Sequence, residues 1–158
     1  MDKTRLLELT QQVALDMAGS SVIQPFSPDK SFFRVGEKWF AFIADVDGER
    51  HVVLKVEPEY GKALREEYPQ IRTGWHMNKK HWISFVADDE AAGSEDGAAG
   101  SVAGSVEADG AGPDPYSRNA EEALLVDLIV QSYMLILETL PSRLVPIGAT
   151  PEWFAIGQ

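Results

Sequence analysis

The chain has 158 residues, 44% of them apolar, a formal net charge of −11 and no cysteine. One domain with appendages is expected, with enough apolar material to build a real core. The missing thiols exclude disulfides, thiolate metal sites and thiol catalysis, and no run of about 18 uncharged apolar residues is present to form a transmembrane helix.

The opening Met1-Asp2-Lys3-Thr4-Arg5 carries charge where a signal peptide would turn apolar, so the cytoplasm is the expected compartment. Leu6, Leu9, Val13 and Met17 then recur at helical spacing and predict a helix over about Lys3 to Ala18. Asp2 or Thr4 can cap its start, and Gly19 ends it. Val22 to Lys30, with Pro25 and Pro28, reads as a loop anchored by Phe26.

Three strands follow. Phe32 to Val35 turns through Gly36-Glu37 into Lys38 to Val46, and Asp47-Gly48 turns that strand into Arg50 to Val56. Strict alternation puts Trp39, Ala41 and Ile43 on one face of the middle strand and Phe40, Phe42 and Ala44 on the other. Both faces are apolar, so that strand should be central. In the third strand Val52, Leu54 and Val56 point one way and His51, Val53 and Lys55 the other. A second helix opens at Pro58, where a missing N–H costs nothing, with Tyr60, Ala63, Leu64 and Tyr68 as its inner stripe. Pro69 stops it, Gln70 to Gly74 reads as a loop, and His81 to Ala87 has the composition of a strand that rejoins the sheet.

From Asp88 to Pro115 the chain is rich in Gly, Ala and Ser and carries eight acids, with no Lys or Arg. Such a segment cannot bury enough apolar area to offset its ordering entropy, and it predicts a flexible acidic insertion over 88–115. Without its charge the rest of the chain nets −3, so a local basic surface is compatible with the acidic total. A last helix is predicted from Asn119 to Leu140, capped by Ser117 or Asn119, with Glu121 and Glu122 at its positive end. Leu125, Leu128, Ile129, Tyr133, Ile136 and Leu140 form its inner face. Val126, Val130 and Met134 widen that face enough to suggest a partner chain on the far side. The extension 144–158 keeps Leu144, Val145, Ile147, Trp153, Phe154 and Ile156 as anchors for docking back on the domain.

Catalytic signatures are absent. No Gly-x-Ser-x-Gly occurs, Asp88-Asp89 lies in the insertion, and His76 and His81 are five apart, a spacing that suits neither a helical nor a strand metal pair. The informative stretch is Asn78-Lys79-Lys80-His81-Trp82, where two ammonium groups, an amide and an imidazole stand beside an indole, a set suited to an anionic partner. Arg72 precedes it. The plainer alternative is a solvated turn whose lysines do nothing specific, with Trp75 and Trp82 in the core.

The succession Phe33-Arg34-Val35-Gly36-Glu37-Lys38-Trp39-Phe40-Ala41, Leu54-Lys55-Val56-Glu57-Pro58, Tyr68-Pro69 and Gly74-Trp75-His76-Met77-Asn78-Lys79-Lys80-His81-Trp82 resembles the MmcQ/YjbR family of small bacterial proteins. Gln131-Ser132-Tyr133 and Leu140-Pro141 fit the family's closing helix and its end. The resemblance implies an α+β domain of CyaY-like fold, formed by 1–87 and 116–143, with a surface likened to a double-wing DNA-binding module. Its antiparallel sheet would be a meander plus a further strand, packed against N-terminal, middle and C-terminal helices. The acidic insertion and the long tail depart from the family's pattern. So does the sparse acidity of the first helix (Asp2, Glu8 and Asp16) from the dense ridge of the fold's iron-binding users.

Two functional expectations stand side by side. The first is a binding protein without catalytic activity or cofactor, contacting DNA weakly and salt-dependently through Arg72, Asn78, Lys79 and Lys80, with His76, His81 and Trp82 shaping the loop. The second is a protein-interaction or small-ligand module without a nucleic-acid role, in which the closing helix and tail bind a partner or a second copy. Neither involves a membrane.

Overall fold

The computed structural model describes residues 1–25, 30–87 and 114–147. The Phe26 anchor, nearly all of the acidic insertion, and Trp153, Phe154 and Ile156 of the tail lie outside the described residues. The elements run α1 (Lys3–Asp16), β1 (Ser20–Ile23), β2 (Lys30–Val35), β3 (Lys38–Val46), β4 (Glu49–Lys55), α2 (Pro58–Glu67), β5 (Ile71–Thr73), β6 (Trp82–Val86) and α3 (Ala120–Leu137). The strands form one sheet in the order β1-β2-β3-β4-β6-β5, with every neighbouring pair antiparallel. This is the expected α+β architecture, with two strands more than the sequence predicts.

Both meander turns are built as their residues dictate. Gly36 and Glu37 have φ of 57° and 68°, and Asp47 and Gly48 have 52° and 84°, so each pair of corner residues is left-handed. That is the backbone of the two-residue hairpin turn whose twist matches the flanking strands.

The helices cover one face of the sheet. Leu6, Leu9, Val13 and Met17 of the first helical stretch meet Leu125, Leu128, Ile129 and Tyr133 of α3 over Phe33, Ile43, Val52, Leu54, Ile83 and Phe85. The Tyr133 hydroxyl reaches the Ala18 carbonyl at 2.6 Å, and burial pushes its pKa up to about 12. Val126 and Val130 are also buried in this core, so the broad apolar surface of α3 is covered by its own chain. Leu144, Val145 and Ile147, expected to dock back, are exposed.

The other corrections each have a local cause. Helix α1 stops at Asp16, with Met17 already extended (ψ 138°), and Ser20–Ile23, which takes in the first two residues of the predicted Val22–Lys30 loop, is a strand paired with β2. The predicted Gln70–Gly74 loop contains β5, an edge strand of which Ile71 alone faces the core. The stripe assigned to α2 is rotated, since Tyr60 and Ala63 are exposed while Gly61 and Leu64 are buried. Gly61 is the contact because a Cβ there would sit 2.8 Å from Val56 Cγ2. Helix α3 ends at Leu137, and Leu140 lies beyond it against Gly36.

The strict alternation assigned to β3 fails at one residue. Phe33 pairs with Ala41 and Arg34 with Trp39, so Phe40 is an extra residue, a β-bulge. The bulge turns Phe40 into the helix-side core beside Ala41 and Ile43, and sends Trp39 to the opposite face with Phe42 and Ala44.

Candidate functional site

The face of the sheet away from the helices holds a small aromatic cluster. Phe32, Phe42, Ala44 and Val53 are buried there, with Ile23, Trp39, Val46, Trp75, Met77 and Trp82 packed around them and partly open. Phe32 lies 4.3 Å from Trp39 and 4.9 Å from Phe42, and Trp75 lies 6.5 Å from Phe42, centroid to centroid. The stretch between β5 and β6 closes over this face. The Trp75 N–H donates to the Ser84 hydroxyl at 3.0 Å, and Ser84 is fully buried beneath it.

That loop is pinned at both ends. The Gly74 N–H donates to the Trp82 carbonyl at 2.9 Å, and the Val56 N–H to the His81 carbonyl at 2.8 Å. A Cβ at Gly74 would lie 2.6 Å from the Trp82 Cβ, so only glycine lets the two stem strands close. His76 sits at φ 60°, a left-handed conformation that is strained for a residue with a Cβ, and its ring lies edge-on to Trp75 at 4.0 Å. At the tip, Asn78 accepts twice: its side-chain oxygen from the Lys80 N–H at 2.9 Å and its carbonyl from the His81 N–H at 3.2 Å. Asn78 is therefore a turn-former that holds Lys79 and Lys80 outward, both exposed.

Asn78, Lys79, Lys80 and His81 come together at this tip, His76 and Trp82 at its base. Arg72 does not join them. It stands on β5 with its guanidinium bidentate to Glu49, at 3.1 and 3.2 Å. The Arg72 bond, followed by that of His51, holds the Glu49 carboxyl below its usual pKa. Both partners of the Arg72–Glu49 pair are half exposed, so it contributes no more than about 1 kcal/mol and can exchange for another anion. Beside it, His51 is buried with Nε2 3.3 Å from Glu49.

Several residues of this face were missed in the sequence. Lys30, Arg34 and Lys55 share it with Phe32, Trp39 and Val53: Lys30 Nζ stands 6.0 Å from the Trp75 ring centroid, Arg34 is the cross-strand partner of Trp39, and Lys55 that of Trp82. The period-two series Lys30-Phe32-Arg34 carries the signal, but its first member lies two residues before the predicted strand of Phe32 to Val35. Among the described residues, the strands therefore bring Lys30, Arg34, Lys55 and Arg72 to this face against one acid, Glu49, with Lys79 and Lys80 at its rim. Most acids of the other elements lie on the helices: Glu8 and Asp16 on α1, Glu59, Glu66 and Glu67 on α2, and Glu121, Glu122 and Asp127 on α3.

Comparison with known proteins places this arrangement. A family model described as YjbR matches residues 15–96, from the end of α1 through β6, which is the whole of this face. The chain belongs to the YjbR family. It is 30% identical over 143 residues to the protein YbdF of Escherichia coli O157:H7, covering 90% of this chain and 93% of that one. To YjbR of Escherichia coli K12 it is 33% identical over 55 residues, 35% of this chain and 47% of that one. The crystal structure of Deinococcus radiodurans protein DR2400, described as a DUF419 domain, shares the fold with a TM-score of 0.58 and 25% identity, over 85% of this chain and 80% of that one. Among the described residues of this YjbR-family chain, no helix is long and apolar enough to cross a membrane.

Proposed function

We propose that the protein is a non-catalytic binder of nucleic acid, and that it binds through the helix-free face of its sheet. The observation that carries this reading is the partition of charge. Among the described residues, six cations and one acid gather around three half-open tryptophans, while eight acids stand on the three helices. Phosphates would be met by Lys79 and Lys80 at the rim and by Lys30, Arg34 and Lys55 on the strands. Arg72 contributes once it exchanges Glu49 for a phosphate. Contacts of this kind give weak, salt-dependent affinity without sequence readout.

The test is binding of a labelled mixed-sequence DNA across a salt series, for the intact chain and for Lys79→Ala/Lys80→Ala. Affinity should fall with salt, and the double variant should bind more weakly with a log–log slope shallower by about 1 to 2. No binding at low salt would overturn the reading. The other reading, a protein-interaction module, is favoured by the exposure of Leu144, Val145 and Ile147 after α3. It predicts no DNA affinity and loss of a protein partner when these three are made polar.

A further inference from the structure

We infer that the strand recognised is single, with unpaired bases stacking on the indoles of the helix-free face; this rests on the nucleic-acid reading above. Indoles and cations alternate there in pairs. Lys30 Nζ lies 6.0 Å from the ring centroid of Trp75, and Lys55 faces Trp82 directly across the β4–β6 ladder. Arg34 faces Trp39 across β2–β3 and continues the series. Lys79 and Lys80 stand in the loop between Trp75 and Trp82.

A nucleotide offers the matching pair, an anion and a π face a few ångströms apart. A duplex shows a protein the anion and the base edges but not the π faces, which are stacked on one another. Against a duplex the tryptophans would find no π face to stack on, and a sheet surface fits neither groove unless it deforms the helix. A single strand leaves base faces free for aromatic side chains while basic residues follow its backbone.

The sheet also holds its rings ready. The Trp75 ring packs against Phe42 and its backbone N–H is held by buried Ser84, while the Trp82 backbone and Cβ are held against Gly74. A base that stacks on Trp75 takes the place of the Lys30 ammonium, which is then released to the neighbouring phosphate. Because every base has a π face, the site should tolerate sequence.

The full chain is titrated with a fifteen-nucleotide oligothymidylate and with a fifteen-base-pair duplex at one salt concentration, reading tryptophan fluorescence and anisotropy. Oligothymidylate should bind at least about tenfold more tightly than the duplex and quench the fluorescence. Trp75→Ala should lower its affinity by about fivefold to a hundredfold, a larger loss than for the duplex, and Trp75→Phe should restore most of it. Circular dichroism melting of both variants separates a lost ring from a lost fold. Equal affinity for both forms, with Trp75→Ala changing neither, would overturn the stacking inference and leave phosphate binding standing. Binding of neither form at low salt would overturn the reading beneath it.

Discussion

Replacing Arg5 with alanine should destabilise the fold by about 3–5 kcal/mol at pH 7, the cost of leaving a buried carboxylate without its partner. Arg5 on α1 grips Glu122 on α3 with Nε to Oε2 at 2.9 Å and a terminal nitrogen to Oε1 at 2.8 Å. Glu122 is 5% exposed. Burial alone would raise its pKa. The Arg5 bond and the Arg118 N–H at 3.0 Å outweigh that and hold it below the usual value of 4.5. The pair thus locks the first helix to the last.

The sign of the pH dependence follows. Glu122 titrates lower in the folded chain than in the unfolded one, so its contribution is complete above the unfolded value and is lost as pH falls through the folded value. Asp45, held low by the guanidinium of Arg50, behaves alike. In Arg5→Ala burial would dominate instead, and the Glu122 penalty would ease as the carboxyl took up a proton. The stability gap between the two proteins, measured by urea denaturation, should therefore be widest at pH 7 and narrower at pH 4. A gap that widens toward acid would contradict this account.

Ser132→Ala should cost about 2–4 kcal/mol, far more than the loss of one hydroxyl from a solvated helix. The bulge at Phe40 interrupts the β3–β4 ladder one residue beyond Ala41–Leu54. The fully buried Ser132 hydroxyl, reaching in from α3, fills the gap. It donates to the Phe40 carbonyl and accepts from the Lys55 N–H at 2.8 Å. Alanine would strand both backbone groups, and buried unpaired groups are what folds avoid most consistently. The lowered midpoint of chemical denaturation reads the effect. A Ser132→Thr variant, which keeps the hydroxyl, should recover part of it.

What could be read from the chain followed from contrast between neighbouring residues. Leu6, Leu9, Val13 and Met17 stand out against polar neighbours, and Val52 and Leu54 alternate against His51 and Lys55, so α1 and β4 were legible. From Trp39 to Ala44 every residue is apolar, so alternation carries no information and the bulge was invisible. Strands β1 and β5 were missed because each is an edge of three or four residues with little buried apolar surface, specified by its neighbour's ladder more than by its own pattern. The turn around Asn78-Lys79-Lys80 was legible as a site. What it closes over was not, because Lys30, Arg34, Trp39 and Lys55 reach that face only through strand pairing. Arg72 was visible as a cation, but its partner Glu49 is 23 residues away, brought near by the sheet.

Binding through the helix-free face of the sheet is best checked by mapping contacts residue by residue. Isotope-labelled protein would be titrated with oligothymidylate while its backbone and indole resonances are followed. The predicted result is movement of the Trp39, Trp75 and Trp82 indole signals and of the amides around Lys30, Arg34, Lys55, Lys79 and Lys80, with α1 and α3 silent. Shifts confined to the helices, or to Leu144–Ile147 with the three indoles unmoved, would contradict it.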